Sequence, residues 1–281
     1  MADVFSFIRQ GWNSVWKQKT IWLFSAIVLL NQLFNVFPID RNPSLALRGV
    51  LIILMLISIT LSLISLIGVP YLAYRSLIGS PATIRETLSA VKKFSGRVIG
   101  CSCLGALVFF PVFFVFLVLT TDRSPLTSET SNNINWALWV LGIFAALWQF
   151  TLAAFFEHDW GIRKSLEKAW GLFKNHFVVL AVLGLILALV AQAFLTLSGV
   201  LTVLIQSGFD ISSINNFNFL NPFVSLRKNL LFVLIVGIGQ MIYLPLMAHI
   251  FTSAYLKYNS VKLPSHPSPA GKAQRRSSFV K

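Results

Sequence analysis

Six long apolar segments without Lys, Arg, Asp or Glu alternate with charged connections along the chain. The segments are about 20–37, 49–74, 98–121, 134–156, 177–205 and 230–256. Because a helix of about 20 apolar residues crosses a hydrocarbon core about 30 Å thick, each segment is a candidate span. The pattern predicts an all-α membrane protein with six transmembrane helices in one domain, residues 1–260. Residues 261–281, rich in Pro, Ser, Lys and Arg, are predicted to form a disordered basic cytoplasmic tail.

Three shorter stretches, 4–16, 84–94 and 162–174, each precede an apolar segment and are amphipathic with a helical period. The apolar face of the third stretch consists of Ile162, Leu166, Ala169, Trp170 and Phe173. A helix with Trp and Phe on one face and Lys and Arg on the other lies in the lipid headgroup plane. We expect Asp159 to cap the third helix and Ser80-Pro81 to begin the second.

The three amphipathic stretches recur with a period of 79 residues. The aligned positions are Gly11, Ala90 and Ala169, then Trp12, Val91 and Trp170, then Val15, Phe94 and Phe173. This period predicts three repeats of an interfacial helix plus a transmembrane hairpin, at about 4–74, 82–156 and 160–256. The small residue of each repeat is expected where the helix closely approaches its own hairpin. The alternative is that any interfacial helix before a span has this pattern.

A longer motif surrounds the third stretch. It reads Glu157-x-x-x-Gly161-Ile162-x-x-Ser165-Leu166-x-x-Ala169-Trp170-x-Leu172-Phe173-Lys174 and runs into an apolar segment. This motif resembles the recurring motif of the bacterial glycerophosphoryl diester phosphodiesterase membrane-domain-like proteins, six-span proteins of which many have no known function. In some members the membrane region is fused to a soluble phosphodiesterase domain with acidic and histidine metal ligands. This sequence contains no such domain, so the resemblance implies a six-span membrane region without that activity.

Composition and charge agree with a membrane protein. Hydrophobic residues make up 56% of the chain and charged residues 11%, with a mean hydropathy of +0.75, whereas soluble domains carry about 25% charged residues. The net charge is +14, but no nucleic-acid-binding motif occurs, so we predict no nucleic-acid partner. Of the 23 Lys and Arg residues, 18 fall on one side of the predicted membrane and 5 on the other. This distribution predicts an inner-membrane protein of the cell with both termini in the cytoplasm.

The basic faces of the second and third stretches predict contact with membrane lipids that have anionic headgroups. The residues expected to make this contact are Arg85, Lys92, Lys93, Arg163, Lys164 and Lys168. The sequence identifies no protein partner.

The sequence predicts no enzyme, cofactor or metal site. It lacks a Gly-rich phosphate loop, His-Glu-x-x-His and Gly-x-Ser-x-Gly, and no predicted span contains an acidic residue. Consecutive helical residues point about 100° apart, so the three residues 157–159 cannot converge on one ion by themselves. A metal site would need a second source of ligands, and His249 could approach His158. Cys101 and Cys103 alone make neither a disulfide framework nor a zinc site.

Two classes of function remain. The first is a non-enzymatic membrane protein that organises lipid or docks partners through a basic cytoplasmic face. The second is a transporter or lipid-handling permease with a polar passage among the six spans. Gln149, Gln192 and Gln240 form the predicted intramembrane polar cluster, and one cavity lined by all three would favour the second class. The absence of charge within the spans favours the first class.

Overall fold

The computed structural model describes residues 2–34, 45–120, 128–210 and 229–259, together with residues 213 and 226. Within these residues the chain forms eight α-helices and no strand. They are α1 Ala2–Val15, α2 Lys19–Phe34, α3 Leu45–Leu77, α4 Ile84–Thr120, α5 Ser128–His158, α6 Ile162–Asn175, α7 Phe177–Gln206 and α8 Leu230–Tyr258. The predicted all-α class is confirmed.

Three helices in the described part of the chain are long and apolar enough to cross a membrane, judged by length and composition. They are Gly49–Leu77, Phe177–Gln206 and Leu230–Tyr258, which match three of the six predicted spans. The first predicted span corresponds to a shorter apolar helix, Lys19–Leu33. The spans predicted at 98–121 and 134–156 fall in α4 and α5, whereas the predicted tail lies outside the described residues.

The long helices form two layers. The second helix of each predicted hairpin (α3, α5 and α8) packs against the other two and forms an inner triangle. The first helices (α2, α4 and α7) lie outside it, and each packs against the second helix of the preceding hairpin, with α2 on α8 completing the ring. The last turns of α8 carry much of the core, since Ala248–Leu256 is buried throughout.

The amphipathic segments follow the same cyclic rule. Helix α1 packs chiefly on α8, α6 packs chiefly on α5, and the N-terminal part of α4 packs on α3, where Phe94 clusters with Ile67. Each segment therefore contacts the preceding hairpin. The expectation that the small residue faces its own hairpin was wrong for Gly11, whereas Ala90 clusters with residues of both α3 and α5. Gly11 illustrates the actual contact: a Cβ added there would lie 2.5 Å from Cγ1 of Ile250 and 3.2 Å from its backbone nitrogen.

The second amphipathic stretch differs from the other two, because it is not a separate helix. Residues 84–94 continue without a break into the long apolar part of α4. No proline interrupts them, and the single Gly96 costs only about 1 kcal/mol in helix propensity. By contrast, α1 ends at Val15 before a turn, and α6 ends before His176, whose φ of −121° departs from helical geometry. The prediction of three separate interfacial helices was therefore wrong for the second stretch.

Both predicted helix starts were also wrong. Thr83 begins α4: its hydroxyl accepts from the backbone N–H of Glu86 at 3.3 Å, and Glu86 accepts from the N–H of Thr83 at 2.7 Å. This reciprocal pair is a capping box, which outweighs Ser80-Pro81. The N-cap of α6 is Gly161 without a side-chain bond, whereas Asp159 adopts a φ of +55° and binds residues of α4 instead.

Burial of the aligned repeat positions is nearly uniform. Gly11, Ala90 and Ala169 are buried, and so are Val15, Phe94 and Phe173. The remaining column is mixed, because Trp12 and Trp170 are 49% and 52% exposed while Val91 is buried. Two of the three columns thus face the bundle in every unit.

Candidate functional site

One end of the bundle gathers the cations of the described residues except Arg48, which lies near the opposite end of α3, and we call it the basic end. It comprises α1, the N-terminal part of α4, α6 and the adjacent ends of α2, α3, α5 and α8. Its cations are Arg9, Lys17, Lys19, Arg75, Arg85, Lys92, Lys93, Arg97, Arg163, Lys164, Lys168, Lys174 and Lys257. The alternation of the long helices brings these sequence-distant segments to the same end.

Three ion pairs at two junctions hold the segments of the basic end together. Lys257 Nζ lies 2.7 Å from Asp3 Oδ1, which joins the end of α8 to the start of α1. Lys93 Nζ and Arg97 Nη1 lie 2.7 and 2.6 Å from the carboxylate of Asp159, which joins α4 to the loop before α6. The hydrogen bonds from Lys93 and then Arg97 lower the pKa of Asp159, and that from Lys257 lowers the pKa of Asp3.

Glu157 forms the most enclosed polar junction of this end. Its side chain is 12% exposed and accepts hydrogen bonds from the Tyr255 hydroxyl and from Nδ2 of Asn259, the latter at 2.8 Å to both oxygens. Nε2 of His158 lies 3.3 Å away. The junction ties the end of α5 to the end of α8. Within the described residues no group of three His, Cys, Asp or Glu side chains lies where it could hold a metal ion.

The six predicted lipid-contact residues fall into two groups. Lys93 is paired with Asp159, and Arg163 is paired with Glu167 at 2.8 Å within α6. The other four have no ion-pair partner among the described residues. They are Arg85, Lys92 and Lys164, which are exposed, and Lys168, which is partly buried.

A ladder of tryptophans lies on α1 and α2 at the basic end and was not predicted as a unit. Trp12 and Trp16 meet edge to face at 5.5 Å, and Trp16 lies 5.0 Å from Trp22 of α2. Trp12 and Trp16 are about half exposed, on the side of α1 that also carries Arg9. The four-residue spacing of the first two was the available sequence signal. Such rings favour the boundary between headgroups and acyl chains.

The predicted polar cluster does not share one cavity. Gln192 and Gln240 line a cavity of about 300 Å³ between α5, α7 and α8, and Gln240 accepts a hydrogen bond from Gln32 at 2.9 Å. Gln149 lines a separate cavity of about 220 Å³ among α2, α3, α5 and α8, and its Oε1 has no hydrogen-bond partner. Asn31, which bonds Ser62 at 2.8 Å, also lines this second cavity.

A further cavity was not predicted from the sequence. It measures about 790 Å³ and lies between α3, α4, α5 and α6, and we call it the lateral crevice. Its walls are almost wholly apolar and include Leu66, Leu104, Phe144, Trp148, Leu166 and Trp170. It forms because α4 packs closely on α3 but makes few contacts with α5, unlike the first helices of the other two hairpins. No sequence period reports that difference in helix separation.

Comparison with known proteins identifies no relative: no family model, no curated protein and no solved structure matches the chain.

Proposed function

We propose that this chain is a six-span, non-enzymatic membrane protein whose basic end binds anionic lipids at the cytoplasmic surface. The observation that carries the proposal is the joint exposure of cations and tryptophans on α1 and α6. Both helices pack by their opposite face on the ends of long apolar helices. Helices with this distribution lie in the headgroup region, with aromatic rings at the acyl boundary and cations toward the phosphates.

The acidic side chains of the basic end do not neutralise all of its cations, so a net positive charge faces the lipid. Each of them already binds a group of the protein, as the pairs Asp3–Lys257, Glu86–Thr83, Glu157–Tyr255, Asp159–Arg97 and Glu167–Arg163 indicate. The cations without such partners therefore remain for anionic headgroups. Attraction near a charged surface contributes about 1 kcal/mol per Lys or Arg, or about fivefold in affinity.

We also propose that three repeats underlie the architecture. The cyclic packing of α1, the start of α4 and α6 supports this, as does the shared burial at positions such as Gly11, Ala90 and Ala169. Like units that bury like faces form a ring around one axis, which we expect to run along the membrane normal. The resemblance to the six-span membrane-domain-like proteins stays a prediction that fits this arrangement.

The alternative, a permease with a polar passage, draws less support from the described residues. Its three glutamines divide between two cavities, so one continuous polar route through Gln149, Gln192 and Gln240 is not formed by them. The enclosed Asn31 and Gln149 are the residues on which that alternative would rest.

Lipid selectivity tests the proposal. We would replace the four unpaired cations with glutamine (Arg85→Gln, Lys92→Gln, Lys164→Gln, Lys168→Gln) and measure lipid retained from nanodiscs by native mass spectrometry. The variant should lose most of its preference for phosphatidylglycerol over phosphatidylcholine. A matched control neutralises four cations of the loops predicted on the opposite side, Arg41, Arg123, Arg227 and Lys228, and should keep the preference. An unchanged preference in the first variant would remove the proposal.

Activity assays test the non-enzymatic part. The purified protein should not hydrolyse phosphodiesters, esters or peptides in the presence of common divalent metals. Turnover that disappears in His158→Ala would contradict this.

A further inference from the structure

The lateral crevice has the size and lining of a lipid site. Its volume of about 790 Å³ lies within the usual range for ligand pockets, roughly 300–1,000 Å³. The hydroxyl of Thr151, one of its few polar lining groups, donates to the carbonyl of Leu147 in its own helix at 2.8 Å. Apolar side chains therefore offer an acyl chain their whole surface, without a competing polar partner.

At the basic end of the crevice α4 contacts α6, whereas Gly105 of the crevice lining faces open space. At Gly100 an added Cβ would lie 2.8 Å from Cδ1 of Ile162, so α4 and α6 touch there. Five residues further along α4, nothing lies within 4 Å of the position that a Cβ on Gly105 would occupy. Leu166 and Trp170 of α6 line the crevice, so α6 lies across its basic end.

The cations of α6 project in different directions relative to the crevice. At 100° per residue, Arg163 and Lys174 project within about 40° of Trp170, whereas Lys164 and Lys168 project about 120° or more away. Arg163 and Lys174 therefore project on the side of α6 that carries Trp170, a lining residue of the crevice, and both are exposed. The ion pair of Arg163 with Glu167 is solvent-exposed, and such pairs are weak enough for a phosphate to compete.

We propose that the lateral crevice holds one anionic phospholipid of the surrounding bilayer. An acyl chain lies against Leu104, Gly105 and Trp148, and the phosphate lies on the exposed side of α6 that carries Arg163 and Lys174. Trp170, which is 52% exposed, stands between chain and headgroup, where an indole N–H can donate to a lipid oxygen. The inference rests on the proposed function, because it requires that the basic end face an anionic membrane surface. Charge complementarity and the apolar lining select a lipid over a second copy of the chain.

Photocrosslinking with a charge-matched pair of variants tests the site. The full chain is reconstituted with phosphatidylglycerol that carries a diazirine in its acyl chain, and crosslinked peptides are mapped by mass spectrometry. Crosslinks should concentrate on the crevice residues of α4 and α5 relative to the exposed α3 surface at Ile52 and Met55. The variant Arg163→Gln/Lys174→Gln should reduce crevice crosslinking about 25-fold, about fivefold for each cation, and Lys164→Gln/Lys168→Gln should reduce it much less.

A second pair of variants fills the crevice itself. Gly105→Phe should abolish the crevice crosslinks, because its ring enters the open space. Gly96→Phe is the control: it lies on the same helix, is exposed, and also has nothing within 4 Å of its added Cβ. The unmodified chain gives a further readout, since crosslinking with diazirine phosphatidylcholine should be weaker than with phosphatidylglycerol.

The outcomes separate this inference from the proposed function. Equal losses from the two charge variants would overturn the site and leave general attraction to the basic end intact. Crosslinks that remain after Gly105→Phe, or crosslinks spread evenly over the lipid-facing helices, would also overturn the site. Protein–protein crosslinks into the crevice would assign it to a second copy. No loss from either charge variant, with unchanged selectivity in the four-residue variant, would remove both proposals.

Discussion

The contact between Gly11 and α8 can be tested by a single methyl group. Replacement of Gly11 with alanine places a Cβ 2.5 Å from Cγ1 of Ile250 and 3.2 Å from its backbone nitrogen. The side chain of Ile250 can rotate, but the backbone of α8 cannot move without disturbing the buried residues around it. Overpacking of this kind costs about 1–3 kcal/mol, whereas alanine in place of glycine gains about 1 kcal/mol in helix propensity. The two terms leave a net destabilisation of up to about 2 kcal/mol.

Gly171→Ala is the matched control for this prediction. Gly171 lies on α6, is exposed, and has nothing within 4 Å of its added Cβ, so the substitution should stabilise by about 0.5–1 kcal/mol. Denaturant or thermal unfolding in detergent micelles, followed by tryptophan fluorescence, measures both variants. If Gly11→Ala stabilises as much as Gly171→Ala, α1 does not close the ring against α8, and the cyclic packing is refuted.

The remaining predictions concern the polar junctions of the basic end. Glu157→Ala leaves the Tyr255 hydroxyl and the Asn259 amide without their acceptor and should destabilise by about 1–3 kcal/mol, measured by the same unfolding assay; a cost equal to that of the exposed Glu167→Ala would contradict the junction. The lowered pKa of Asp159 means that its contribution is complete above the unfolded pKa of about 3.9 and disappears as pH falls through the lower folded pKa. Wild-type and Asp159→Asn should therefore differ by a constant amount between about pH 5 and pH 8 and converge in acid. A difference that changes across neutral pH would show that another group titrates.

Helical class, helix order and the amphipathic faces could be predicted because they depend on local periodicity. The buried positions Ala169 and Phe173 in α6 follow directly from that period. The continuation of 84–94 into α4 could not be predicted, since a helix end depends on whether a turn is stabilised and Gly96 alone does not decide it. The capping box of Thr83 and Glu86 was readable in the sequence, but Ser80-Pro81 offered a competing start.

The interactions between segments distant in the chain could not be predicted from the sequence. Asp159 was expected to cap α6, but Lys93 and Arg97 lie more than 60 residues away and reach it only through the packing of α4. The three glutamines were expected to form one polar cluster, whereas the angular positions of α5 and α7 assign Gln149 and Gln192 to different cavities. The lateral crevice depends on a gap between two helices, which neither helix records in its own pattern.

The account requires that the chain cross the membrane six times with the basic end in the cytoplasm. Measuring the orientation of the basic end is therefore the most direct test. Single cysteines at Lys92, Lys164 and Thr127, in a background with Cys101 and Cys103 replaced by serine, would be labelled with a membrane-impermeant maleimide on intact cells. Thr127 lies outside the described residues, in the loop that the sequence predicts on the external side. The account predicts that Thr127→Cys is labelled from outside and that Lys92→Cys and Lys164→Cys are labelled only after permeabilisation. External labelling of Lys92→Cys or Lys164→Cys would contradict it.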